Sequence, residues 1–244
     1  MRTLIAAFRF LTRLPVPGPD TRVEDIAGAV GWFPLVGGVV GLLTAGAFFL
    51  GCRVWSPSLA AVVAISFGLL VTGGFHEDGL TDATDGLGGG WTRERVLEIM
   101  KDSRVGAYGS MALWCLLALR WAALVDLGAR MALLVLPLVY IWGRWSVSLV
   151  LWLLPPIGQG LAKEVHGQAT WKPLIHASVL LALANAAAWK LGVPHLGRLA
   201  LTALVVTLAW VGYLRHRLGG HSGDLLGACT QIVESTLLLA MLAR

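Results

Sequence analysis

Residues 27–51 read AGAVGWFPLVGGVVGLLTAGAFFLG, an apolar run without a single Asp, Glu, Lys or Arg. A helix needs about 20 apolar residues to cross a bilayer, and this stretch supplies them. Its Gly37-Gly38-Val39-Val40-Gly41 segment puts small residues where neighbouring helices approach closely. Further apolar runs follow at 57–75, 106–127, 131–154, 173–191, 197–214 and 225–243. The chain is therefore expected to be all-α: a polytopic transmembrane helical bundle of about seven spans, forming one integral membrane domain over residues 1–244.

Composition agrees. Of 244 residues 57% are hydrophobic and only 14% charged, with a mean hydropathy of +0.74. A soluble domain carries about a quarter charged residues, so this chain lacks the polar surface that water requires. The net charge of +5 is read as lysine and arginine in loops on the cytoplasmic side, not as a nucleic-acid footprint. Cys52, Cys115 and Cys229 lie far apart, with neither a disulfide framework nor zinc-ligand spacing. No internal repeat or low-complexity linker stands out.

The first twenty residues, MRTLIAAFRFLTRLPVPGPD, have a basic start, but Arg9 and Arg13 interrupt the apolar run and no small-residue cleavage site follows. They read as an amphipathic segment lying at the membrane interface, with Pro15, Pro17 and Pro19 ending any helix before the first span. Seven spans place twelve Lys and Arg residues on the side of the N-terminus and the 76–105, 155–172 and 215–224 loops, against five on the other side. The richer side is expected to be cytoplasmic, and both polar segments described next then face it together.

Seven of the fourteen acidic residues fall between Glu77 and Asp102. Asp78, Asp82 and Asp85 are spaced i, i+4, i+7, which on a helix places them within about 60° of one another. Like charges so close repel, and a divalent cation is the usual remedy. Carboxylate oxygens with open positions suit Mg²⁺, with phosphate completing the shell. A solvated loop is the plainer explanation, but acids beside an apolar span are costly unless used. An EF-hand does not fit any register of Asp78–Asp85. His76, just before the cluster, is either a structural hydrogen-bonder or a proton acceptor. Glycines at 73, 74, 79, 86, 88, 89 and 90 would let backbone approach a bulky polyanion, or simply make a hinge.

Lys101 and Arg104, taken as one helical turn apart, would clamp a phosphate; alone they could be ordinary membrane-flanking cations. In Gly219–Asp224, Asp224 is a candidate metal ligand or base, and Ser222 either binds substrate or caps the following helix. Arg120, Arg144 and Glu234 fall inside apolar spans, where either function or mutual pairing would account for them.

Four blocks, in order, resemble the cobalamin synthase family, the adenosylcobinamide-GDP ribazoletransferases. They are Phe-Leu-Thr-Arg-Leu-Pro-Val-Pro at Phe10–Pro17, the Gly-Gly-Phe-His-x-Asp block at Gly73–Gly86, Lys-Asp-Ser-Arg-x-Gly-x-x-Gly at Lys101–Gly109, and Ser222–Ala228, where serine replaces the family's threonine. The resemblance implies a phosphotransferase of the cytoplasmic (inner) membrane of bacteria that completes the cobalamin nucleotide loop. α-Ribazole or its 5′-phosphate would attack adenosylcobinamide-GDP, releasing GMP. Asp78, Asp82 and Asp85 would then hold Mg²⁺, Lys101 and Arg104 would stabilise the leaving GMP, and Asp224 or His76 would take the proton. Ser103, Gly106 and Ser222, inside the matched blocks, become candidate substrate-binding positions. Homo-oligomers and docking of other corrinoid-pathway enzymes are left open.

The nearest rival chemistry is a lipid CDP-alcohol phosphotransferase. Asp82-x-x-Asp85-Gly86 begins that motif well, but its Ala-Arg and its second aspartate pair are missing. An intramembrane prenyltransferase usually has two Asp clusters, and only one is clear. A cation-coupled transporter would show broken helices in two related halves, and no such halves are visible.

Overall fold

The computed structural model describes residues 1–157 and 171–243. The expected loop cation Lys163 lies outside them. Among the described residues the architecture is all-α, as the apolar runs require: α1 (Arg2–Leu11), α2 (Val23–Ala29), α3 (Phe33–Gly51), α4 (Pro57–Thr72), α5 (Phe75–Gly89), α6 (Arg93–Ile99), α7 (Ala107–Leu153), α8 (Trp171–Lys190), α9 (Leu196–Arg217) and α10 (Gly223–Leu242), with a 3₁₀ turn (Val30–Trp32) between α2 and α3.

α1 buries Ala6, Ala7 and Leu11 on one face against Ala27, Val30, Phe33 and Val36. Its cationic side works locally. The Arg9 guanidinium donates to the carbonyls of Val16 (3.0 Å), Gly18 (2.9 Å) and Pro19 (2.7 Å), so the proline-rich stretch folds back over the helix.

α3 and α7 form the centre of the bundle, and the small residues act as expected. A Cβ on Gly41 would lie 2.7 Å from the Leu136 carbonyl and 2.8 Å from Pro137 Cα, so only glycine permits this approach. α10 packs against both α5 and α7.

The span count differs in detail from seven. Four helical stretches among the described residues have the length and hydropathy to cross a membrane: Glu24–Gly51, α7, α9 and α10; the pair α4–α5, bent by 90°, makes a fifth if taken as one span. The runs at 106–127 and 131–154 belong to one 47-residue α7, broken at Gly128 (φ 70°, ψ 159°). At 1.5 Å per residue its helical length is about 70 Å, enough for two crossings of a core about 30 Å thick. The run at 173–191 does form α8, but Lys172, His176, Asn185 and Lys190 make it less apolar, and it is not among the qualifying stretches.

Two features place the polar segments. Gly73 and Gly74 both adopt left-handed backbone (φ 69° and 67°), which β-carbon sterics make costly for other residues, and they turn the chain from α4 into α5. Near the start of α10, Ile157 N–H donates to the His221 carbonyl (2.8 Å) and His221 N–H to that of Pro155 (2.9 Å), tying the end of α7 to the loop before α10.

Candidate phosphotransfer site

The aspartates do lie on one helix, but they differ in burial: Asp78 is exposed, Asp82 half-buried and Asp85 buried. Asp85 is already engaged. Its Oδ2 accepts from Gly106 N–H at 2.7 Å and its Oδ1 from Gly109 N–H at 2.9 Å. Gly106 precedes the first residue of α7, so Asp85 satisfies two amides that every helix N-terminus leaves open, with charge complementary to the dipole. A Cβ on Gly109 would sit 2.5 Å from the same carboxylate. The final glycine of the Lys101–Gly109 block is therefore a receptor for Asp85. In the structure Asp85 thus bridges α5 to α7, and the Gly106 amide donates to its carboxylate.

Asp224, on α10, reaches the same helix. The Ser222 hydroxyl caps α10 by accepting from Leu225 N–H (3.5 Å), the helix-capping alternative of its two expected roles. One turn of glycine contact then brings α10 onto α5. A Cβ on Gly79 would lie 3.0 Å from the Asp224 carbonyl oxygen and 3.1 Å from its Cα. A Cβ on Gly227 would lie 3.4 Å from the Cα atoms of both Gly79 and His76. Asp78, Asp224 and Asp85 are all within electrostatic reach of Asp82. Among the described residues no Lys, Arg or His forms an ion pair with Asp78, Asp82 or Asp224.

No group of three or more His, Cys, Asp or Glu side chains forms a metal cage among the described residues. The donor set nevertheless suits Mg²⁺, which takes one or two protein carboxylates and completes its shell with water and substrate phosphate. Hard oxygen donors without a cationic partner fit that ion.

The segment carrying Lys101 and Arg104 is a turn between α6 and α7, not a helix, so the two cations are not arranged by helical spacing. Arg104 grips its neighbour, Nε donating to Asp102 Oδ1 at 3.0 Å and Nη2 to Oδ2 at 2.6 Å. That hydrogen-bonded guanidinium holds the Asp102 carboxyl down at about 2. Lys101 and Ser103 are exposed. Because Asp85 holds Gly106, this turn stays beside the C-terminal part of α5.

His76 is 3% exposed, with Nδ1 lacking a partner and its ring edge-on to Phe75. It lies in the α5–α10 contact, its backbone against Gly227.

Sequence reasoning missed the partner of Arg120. Glu77, counted with the acidic cluster, turns inward and accepts from Arg120 Nη1 at 2.8 Å. Arg120 also donates to Gln231 and Glu234, and Glu234 pairs with Arg144. Tyr140 lies 5.9 Å from the Arg120 guanidinium and 4.9 Å from that of Arg144, near enough for cation–π attraction. Mutual pairing therefore accounts for all three intramembrane charges. The available signal was angular: successive helical residues are about 100° apart, so Glu77 cannot share the face of Asp78.

Sequence comparisons agree with these blocks. The family model for cobalamin-5-phosphate synthase, CobS, matches residues 3–242. Similar curated proteins named adenosylcobinamide-GDP ribazoletransferase occur in Chlorobaculum tepidum (39% identical over 241 residues, 97% of this chain and 93% of the relative) and Leptothrix cholodnii (39% over 251 residues, 99% and 95%). A third, from Vibrio parahaemolyticus, is 34% identical over 247 residues (100% and 92%). No solved structure matches. With the match running from the N-terminal helix to the last residues of α10, this chain belongs to the cobalamin-5-phosphate synthase family.

Proposed function

We propose that this protein is the membrane ribazoletransferase that completes the cobalamin nucleotide loop. The observation that carries the reading is the arrival of Asp224 beside Asp78 and Asp82, three carboxylates with no cationic partner among the described residues. A hydroxyl of α-ribazole, or of its 5′-phosphate, attacks the cobinamide-linked phosphorus of adenosylcobinamide-GDP. A new P–O bond forms, the bond to the GMP moiety breaks, and GMP leaves with the electron pair.

Asp78 and Asp82 would hold Mg²⁺, which when bound supplies positive charge against the diphosphate oxygens. Asp224, at the α5–α10 contact, accepts the proton of the attacking hydroxyl. Lys101, exposed at the turn before α7, attracts the departing GMP, and Arg104 joins it on exchanging Asp102 for phosphate. Such chemistry asks for positioning and electrostatics more than for covalent participation. Asp85 serves it indirectly, by fixing the turn that carries these cations.

The distribution of basic residues supports the cytoplasmic membrane as location, with the site facing the cytoplasm. Labelling a Ser103→Cys variant in intact cells and in inverted vesicles tests this; reaction only in inverted vesicles is expected.

The function is tested by GMP release from adenosylcobinamide-GDP and α-ribazole, using purified protein in lipid with Mg²⁺. Turnover that EDTA stops and Mg²⁺ restores is expected. Uptake of substrate into vesicles without GMP release would sink the reading.

A further inference from the structure

The N-terminal block Phe10–Pro17 has no part in the chemistry so far, yet it lies against the acidic helix. Arg13 N–H donates to the Val71 carbonyl at 2.7 Å, fixing the chain beside the end of α4. Phe10 stacks edge-on against Phe75, the first residue of α5, at 5.3 Å between ring centroids. The Arg13 side chain then runs across Gly73. A Cβ on that glycine would lie 2.5 Å from Arg13 Nε and 3.1 Å from its Cγ, so the left-handed glycine also leaves room for the arginine stem.

The guanidinium is exposed, and among the described residues it has neither an ion pair nor a side-chain hydrogen bond. Neighbouring cations differ: Arg9 is held by three carbonyls and Arg104 by Asp102. From Gly74, whose carbonyl accepts from Asp78 N–H at 2.9 Å, the first aspartate lies one turn along α5, a pitch of about 5.4 Å. One diphosphate can bridge that interval.

We infer that Arg13 is a diphosphate-binding residue of this site, its planar fork taking phosphate oxygens at the N-terminal end of α5 while Asp78 and Asp82 serve the metal side. The inference rests on the transferase reading above. It gives the Phe10–Pro17 block a role: its backbone bond and aromatic contact set the arginine against the bend.

The test uses full-length protein in lipid, with inorganic pyrophosphate plus Mg²⁺ as calorimetric probe and steady-state kinetics on both substrates. Arg13→Gln keeps the backbone N–H to Val71. It is expected to weaken pyrophosphate binding and raise the KM for adenosylcobinamide-GDP about tenfold, as loss of a charged hydrogen bond would, with the KM for α-ribazole within about twofold of wild type. Arg13→Lys, which keeps stem and charge, is expected to lose about threefold in pyrophosphate binding because the fork is gone. Should the glutamine variant fail to fold, the lysine variant decides. Wild-type pyrophosphate affinity in whichever folded variant decides, or equal KM increases for both substrates, would overturn the inference. If the wild-type protein releases no GMP, the transferase reading fails, while pyrophosphate binding still judges Arg13.

Discussion

Arg120 in α7 donates to Glu77 at 2.8 Å, and Glu77 is the residue immediately before the exposed Asp78. One step along α5 therefore separates a carboxylate locked into the bundle from one presented outside it. Arg120, Gln231, Glu234 and Arg144 continue the inner side, connecting α5, both halves of α7 and α10. The two glutamates and two arginines balance in charge.

Removing Glu234 should expose how much that balance matters. Glu234 is fully buried and pairs with both arginines, so Glu234→Gln leaves excess positive charge inside the bundle. Breaking one partner of a buried ion pair costs about 3–5 kcal/mol. Glu77→Gln should cost less, since Arg120 keeps Gln231 and Glu234. Thermal unfolding of the two variants in detergent measures the difference; equal melting temperatures would contradict this ranking.

Asp82 and Asp85 share a helix face by spacing yet should respond differently. Asp85→Ala removes the acceptor for two amides of α7, and loss of a helix cap costs about 1 kcal/mol, up to about 2. Lower melting should accompany its loss of activity. The Asp82 side chain makes no hydrogen bond among the described residues, so Asp82→Asn should melt like wild type while turnover falls at least about a hundredfold. Mn²⁺ binding followed by electron paramagnetic resonance should weaken in Asp82→Asn and persist in folded Asp85→Ala. Near-normal turnover of Asp82→Asn would remove the metal assignment.

Gly79 sets the distance between α5 and Asp224. An added Cβ would meet the Asp224 backbone at 3.0–3.1 Å, and backbone can yield only by moving α10. Because a misplacement of about 1 Å can cost a hundredfold in rate, Gly79→Ala should lower kcat about tenfold with a smaller effect on either KM. Steady-state kinetics decide it, and an unchanged kcat would mean that the helix spacing is not critical.

The Asp102–Arg104 pair should be silent across neutral pH. Its folded value of about 2 lies below the ordinary 3.8, so any stabilisation is complete above about pH 4 and fades as pH falls through about 2. Arg104 is exposed and Asp102 only partly covered, so the energetic weight of the pair is small. A ¹³C carboxyl titration of Asp102 should show no change between pH 5 and 8; an inflection in that range would contradict the pairing.

Much of the protein was legible in the chain itself. Hydropathy dictated helices and a bilayer, because apolar runs near 20 residues long admit few other solutions. Helical spacing marked Asp78, Asp82 and Asp85 as one face, and Gly37–Gly41 announced close packing. These are local properties, fixed by residue type and the pitch of a helix. The tertiary structure decided which partner each acid meets. Asp85 turns to the amides of Gly106 and Gly109, Glu77 turns to Arg120, and Asp224 arrives from the far end of the chain to take a place beside Asp78 and Asp82. Those outcomes depend on how α5, α7 and α10 are set against one another, through glycine contacts at Gly79, Gly109 and Gly227. A one-dimensional pattern contains the carboxylates but not the distances between helices that give each one its partner.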